Sequence, residues 1–204
     1  MGSKFIKVSP ATNLKVVVVY PGTGYGTQAY VEGRIASNVL PHADSQDVLI
    51  VIPERHNTAW TEVIEDIDQY ARNERLNITP GAIIGWSGGA QGVAQAIATG
   101  NEFPTILLAD PSPVSGAFDD PRVRMWYQPG NWKGKYAHLG PRQAEVATRL
   151  GPRATLMQLD HNQILDEVIK TAIQEQKSFP TGLVLLVGVP VVLIAGTLLW
   201  RARR

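Results

Sequence analysis

Residues 81–92 read Gly-Ala-Ile-Ile-Gly-Trp-Ser-Gly-Gly-Ala-Gln-Gly and place Ser87 between Gly85 and Gly89, its second neighbours on either side. This is a G-x-S-x-G pattern, entered by an apolar run and left by an Ala-rich one, the context in which a serine can serve as a nucleophile. A chain that turns from strand to helix within so few residues crowds the positions two before and two after the apex. Both must then be small. The turn lifts Ser Oγ clear of the backbone at a helix start, where unpaired N–H groups favour a developing negative charge. Gly88 N–H is the expected first oxyanion donor. A Gly-rich turn serving only topology or binding a phosphate is the competing reading. A P-loop is not, because no Gly-Lys-Ser/Thr follows.

The elements around this turn alternate. Leu14–Tyr20 is a β-branched run ending at Pro21-Gly22, Asp47–Pro53 contains a second apolar strand, and Gly81–Trp86 is a third. Thr105–Ala109, Val123–Gln128 and Ala154–Leu159 complete the strands, and Lys4–Val8 fits an antiparallel edge strand. Gln28–Leu40, Thr58–Leu76, Gly89–Thr99, Pro141–Leu150 and Asn162–Gln174 carry apolar residues at helical spacing. Short apolar strands alternating with amphipathic helices predict an α/β domain over residues 1–174, a mostly parallel sheet covered by helices on both faces.

Val17–Gly26 followed by Gly85–Gly89 resembles the α/β-hydrolase superfamily, and the resemblance runs over about residues 14–172. It implies a Ser, acid, His order along the chain. His161, after the last strand and before the last helix, falls where the family places its base. His42, His56 and His138 lie in loops and are expected at the surface, with His56 near enough to line a pocket. The usual acid position reads Tyr127-Gln-Pro-Gly-Asn131-Trp132, with Asn131 where an Asp is expected. Asn can orient an imidazole but cannot stabilise an imidazolium as a carboxylate does. Asp110, at the end of the preceding strand, is the favoured acid. Asp119 and Asp120 are weaker candidates, and Asp160 sits too close to His161 to face it. The family's second oxyanion donor comes from the turn after an early strand, here Tyr20-Pro-Gly-Thr-Gly-Tyr-Gly26, so Thr23 or Gly24 is expected to supply it. Only about a dozen residues separate Asp110 from the next strand, which leaves no room for a lid domain and implies an open site.

The rest of the sequence bounds the function. With no cysteine, a disulfide scaffold, a thiolate zinc site and a catalytic Cys are excluded. No cofactor or metal is expected. All 18 acidic residues and 16 of the 19 Lys and Arg precede Phe179, leaving a near-neutral body without a basic stripe, which argues against nucleic acid. The N-terminus has no apolar run typical of a signal peptide. Gly22-x-Gly24-x-Gly26 is not the dinucleotide-binding spacing.

Leu183–Trp200 is free of charge over 18 residues and is followed by Arg201-Ala-Arg-Arg204. A helix of that length spans about 27 Å, close to a hydrocarbon core of roughly 30 Å. Trp200 then falls at an interface, and Pro190, Gly188 and Gly196 are tolerated as they are in membrane helices. The expectation is a linker at 175–182, a single-pass C-terminal anchor at 183–200 and a basic tail at 201–204, with neither the membrane side nor the oligomeric state determined. Together these readings predict a membrane-anchored serine hydrolase acting on an ester or thioester, lipid or envelope acyl esters among them. The alternative is an inactive hydrolase-fold scaffold in a membrane-bound or virion assembly.

Overall fold

The computed structural model describes residues 2–24, 27–43 and 46–176. Seven strands, β1 (Lys4–Lys7), β2 (Asn13–Tyr20), β3 (Val48–Ile52), β4 (Asn77–Trp86), β5 (Thr105–Ala109), β6 (Val123–Tyr127) and β7 (Ala154–Leu156), form one sheet in the order β1-β3-β2-β4-β5-β6-β7. Only β1 runs antiparallel, paired with β3 at the edge as its position before the first buried strand predicts; every other pair is parallel.

The strand period sorts side chains to two cores. Val16, Val18 and Tyr20 of β2 pack under α2 (Trp60–Asn73), α3 (Ala90–Ala98) and α4 (Leu139–Leu150). Val17 and Val19 pack under α1 (Thr27–Arg34) and α5 (His161–Glu175). The predicted helix over 28–40 is three pieces: α1, a π-helical turn over Ile35–Val39 and a 3-10 turn over Leu40–His42. The change of pitch keeps Ile35 and Val39 in the core. Arg34, at the join, makes a two-nitrogen ion pair with the buried Asp166 of α5, to which Asn38 also donates.

Two strand boundaries differ from expectation for physical reasons. β4 begins four residues before Gly81, because a register shift between Val16 and Val17 of β2 leaves Gly81 out of the ladder and absorbs Pro80, which has no N–H to donate. β7 stops at Leu156, because the chain turns toward the cap of α5. Asp160 accepts from the Asn162 and Gln163 N–H groups, and the Gln163 side chain accepts from Asp160 N–H, a complete capping box.

Among the described residues no helix is long and apolar enough to cross a membrane. The expected anchor at 183–200, the tail at 201–204 and nearly all of the expected linker lie outside those residues.

Candidate active site

Ser87 follows the last residue of β4 and opens a 3-10 turn, Ser87–Gly89, that leads into α3. Its φ is 53°, in the left-handed region that a residue with a Cβ rarely occupies. The crowding expected of such a turn is present. A Cβ on Gly85 would lie 3.1 Å from the Gly89 carbonyl carbon, and one on Gly89 only 2.5 Å from the Tyr20 carbonyl oxygen. The turn after β2 is packed directly against the elbow: a Cβ on Gly88 would lie 3.1 Å from Thr23 N, and one on Gly22 3.3 Å from Ser87 Cβ. The residues named as oxyanion donors, Gly88 and Thr23, are thus neighbours, and Gly24 follows with φ 134°. Tyr25 and Gly26, the end of that turn, lie outside the described residues.

Asp110 leaves β5 and is fully buried. Its Oδ2 lies 2.7 Å from His161 Nδ1. The second oxygen, Oδ1, accepts from Gln128 N–H at 3.1 Å and from Gln143 Nε2 at 2.9 Å. Burial pushes this carboxyl upward, but the hydrogen bonds from His161, Asn131, Gln128 and Gln143 outweigh it and hold the carboxyl below its ordinary value. Asp110 is therefore an anion next to the imidazole at neutral pH.

Asn131 makes no hydrogen bond to the His161 ring. Its Nδ2 donates to Asp110 Oδ2 at 2.9 Å and to the Leu159 carbonyl at 3.2 Å. The imidazole is bonded to Asp110, and Asn131 supports that carboxylate. Asp119 and Asp120 make no contact with His161; Asp120 pairs with Arg122. Asp160 is committed to the cap of α5.

His161 is the first residue of α5, and its ring is close to two indoles. Trp86 is centred 5.1 Å away and Trp132 5.4 Å away, the latter edge-on. Trp86 Nε1 donates to the His161 carbonyl at 3.1 Å. Among the described residues Ser87 Oγ and the His161 ring share no hydrogen bond. Nucleophile–base contacts are often long in unliganded hydrolytic sites and tighten around substrate. His42 and His138 are exposed, as expected. His56 bonds Gln91, and its carbonyl accepts from Gly92 N–H of α3.

Sequence reasoning did not single out Trp86, Trp132, Gln128 or Gln143. Trp86 was visible as the second residue of the elbow motif. Gln143 is one polar residue on an amphipathic helix, and nothing local marks it as buried.

The order of strands, the elbow after β4, the buried aspartate after β5 and the histidine opening the last helix define an α/β-hydrolase fold. Solved structures with this architecture cover most of the chain. The siderophore hydrolase EstB from Aspergillus nidulans is 9% identical with a TM-score of 0.52, covering 86% of this chain and 90% of its own. EstA from the same fungus is 10% identical at 0.51, covering 84% and 93%. Est1E from Butyrivibrio proteoclasticus is 12% identical at 0.50, covering 85% and 92%. At these identities the likeness is one of fold. No family model and no curated protein matches the chain.

Proposed function

We propose that this chain is a serine hydrolase that cleaves an acyl ester or thioester through Ser87, His161 and Asp110. The reading is carried by the 2.7 Å contact between His161 Nδ1 and a buried, ionised Asp110, alongside a serine on a left-handed elbow. With Nδ1–H donated to Asp110, the neutral imidazole has a free lone pair on Nε2. Nε2 takes the Ser87 proton as Oγ attacks the acyl carbon. The carbonyl electron pair moves onto oxygen, held by Gly88 N–H and a donor from the Thr23–Gly24 turn. Collapse expels the alcohol or thiol, which takes the proton back from His161, and water repeats the sequence on the acyl-enzyme. The solved neighbours include proteins named as siderophore hydrolases, which supports hydrolysis in general and no particular substrate here.

The same reading places the protein on a membrane through residues 183–200. α5 starts at the site with His161 and ends near Gln176, whose Oε1 would lie 2.9 Å from a Cβ on Gly81, toward the opposite end of the sheet.

Labelling of the full chain in detergent with a fluorophosphonate probe tests the chemistry. Wild type should label, Ser87→Ala should not, and His161→Ala should label far more slowly. The unjoined Ser87 and His161 favour a second reading, an inactive scaffold. Folded wild type that takes no label counts heavily against the hydrolase and turns the search to that reading. Carbonate extraction tests the anchor: the full chain should stay with membranes, and Leu186→Asp with Ile194→Asp should release it.

A further inference from the structure

A carboxylate with no access to water must take its hydrogen bonds from protein groups, and it stays ionised only while they remain. Asp110 has four such donors, two on each oxygen. His161 belongs to the reaction, and Gln128 supplies a backbone N–H. The remaining two are side-chain amides from separate elements, Gln143 of α4 and Asn131 of the turn after β6.

Gln143 is 1% exposed. Its Nε2 donates to Asp110 Oδ1 at 2.9 Å and to the Pro111 carbonyl at 3.1 Å, while its Oε1 is buried without a partner. Both groups facing Nε2 are acceptors. Turning the amide over would set oxygen against the carboxylate and against Pro111 O at once. The fold therefore leaves the amide oxygen unpaired and keeps both amide protons donating, one of them to Asp110 Oδ1. Asn131 uses both its protons as well, one on Asp110 Oδ2 and one on Leu159 O, two residues before His161. It ties the acid to the segment that carries the base.

We propose that Gln143 and Asn131 are positioning residues that act through Asp110, Gln143 by holding the carboxylate as an anion and Asn131 by fixing it relative to His161. The effect on rate rests on the hydrolase reading above. The effect on the Asp110–His161 pair does not.

Among the described residues the only charged or titratable group acting on Asp110 is the His161 imidazole. Facing the imidazole are Asp110 and two neutral indoles. Removing a donor leaves the negative charge less compensated. The pair then binds its proton more tightly, whichever atom holds it. Its protonation should move to higher pH by about one unit on loss of one charge-assisted hydrogen bond.

The test uses the full chain in detergent and the variants Gln143→Leu, Gln143→Met and Asn131→Leu, each checked for cooperative thermal unfolding. Two readouts are taken: the pH dependence of fluorophosphonate labelling, and the NMR titration of the His161 imidazole, assigned by its loss in His161→Gln. The expected result is an upward move of the acid limb and of the imidazole midpoint in every folded variant, with the labelling plateau down about tenfold. An imidazole midpoint that stays at the wild-type pH in the folded Gln143 variants overturns the proposal. Wild type that takes no label while the midpoint still moves overturns the hydrolase reading and leaves the carboxylate clamp standing.

Discussion

Ser87 and Asp110 leave neighbouring parallel strands at the same level and in the same backbone conformation. Trp86 of β4 is in register with Ala109 of β5, and the next residue on each strand is left-handed, Ser87 with φ 53° and Asp110 with φ 42°. Ser112 N–H donates to the Ser87 carbonyl at 2.9 Å, closing the two turns on each other. Two non-glycine residues in this region, side by side at the C-terminal edge of the sheet, mark strain held in place by the surrounding fold.

That strain is measurable at Ser87. Ser87→Gly removes both the hydroxyl and the Cβ penalty, whereas Ser87→Ala removes the hydroxyl alone. Ser87→Gly should be the more stable of the two by about 1 kcal/mol. Chemical denaturation of both variants checks this, and equal stabilities would mean the turn is unstrained.

Asp110→Asn keeps the shape of the side chain and loses the charge that would stabilise a protonated His161. The labelling rate should fall by up to about 10⁴-fold with the far-UV spectrum unchanged. Asn131→Ala, which leaves the carboxylate in place, should cost much less. If Asn131→Ala is the more damaging change, the assignment of the acid is wrong.

Trp86→Phe retains a ring against His161 and deletes the N–H that donates to the His161 carbonyl. A hydrogen bond worth about 1 kcal/mol positions the first residue of α5, so labelling should slow several-fold while the melting temperature moves little. A rate equal to wild type would show that capping of α5 by Asp160 suffices to place the imidazole.

Gly89→Ala and Gly33→Ala should move stability in opposite directions. A Cβ at 89 meets the backbone carbonyls of Tyr20 and Pro21 at 2.5 and 2.7 Å, which cannot turn aside, and overpacking of this kind costs about 1–3 kcal/mol or more. A Cβ at 33 meets nothing within 4 Å, and in α1 it should stabilise by about 0.5–1 kcal/mol. Paired urea titrations read both.

Stability should fall toward acid in two steps. Burial holds the His56 imidazole below its ordinary 6.5, with Gln91 acting against it, so the unfolded chain binds that proton more readily. Its contribution is complete above the ordinary value and is lost as pH falls through the folded one. Asp110, held below its ordinary 3.8, repeats the pattern lower on the scale. Melting temperatures from pH 8 to pH 3 should show both steps. His56→Gln should remove the upper one and Asp110→Asn should flatten the lower.

The elbow was legible in the sequence because its requirements are local. A strand run, two glycines around Ser87 and a helical run after it leave the backbone one way to turn. The sheet was legible from the alternation of apolar strands and amphipathic helices, and the edge strand from its position. His161 stood out by its place before the last helix, where the resemblance puts a base. The sequence suggests a start at Gly81 for β4, because the bulge that takes in Pro80 is a property of the pairing with β2 and not of the residues around the proline.

The choice between Asp110 and Asn131 belonged to the tertiary structure. Both lie just after sheet strands, Asp110 after β5 and Asn131 in the turn following β6, and 21 positions apart they meet in a hydrogen bond from Asn131 to an Asp110 oxygen. Gln143 joins them from a helix whose periodicity shows which face is buried but not which atom that face meets. Periodicity and turn chemistry act over a few residues and settle where the chain is strand, helix or elbow. A hydrogen bond acts over about 3 Å between groups that only the assembled sheet brings together, so which carboxylate meets His161, its four donors and the indoles near the imidazole were decided there.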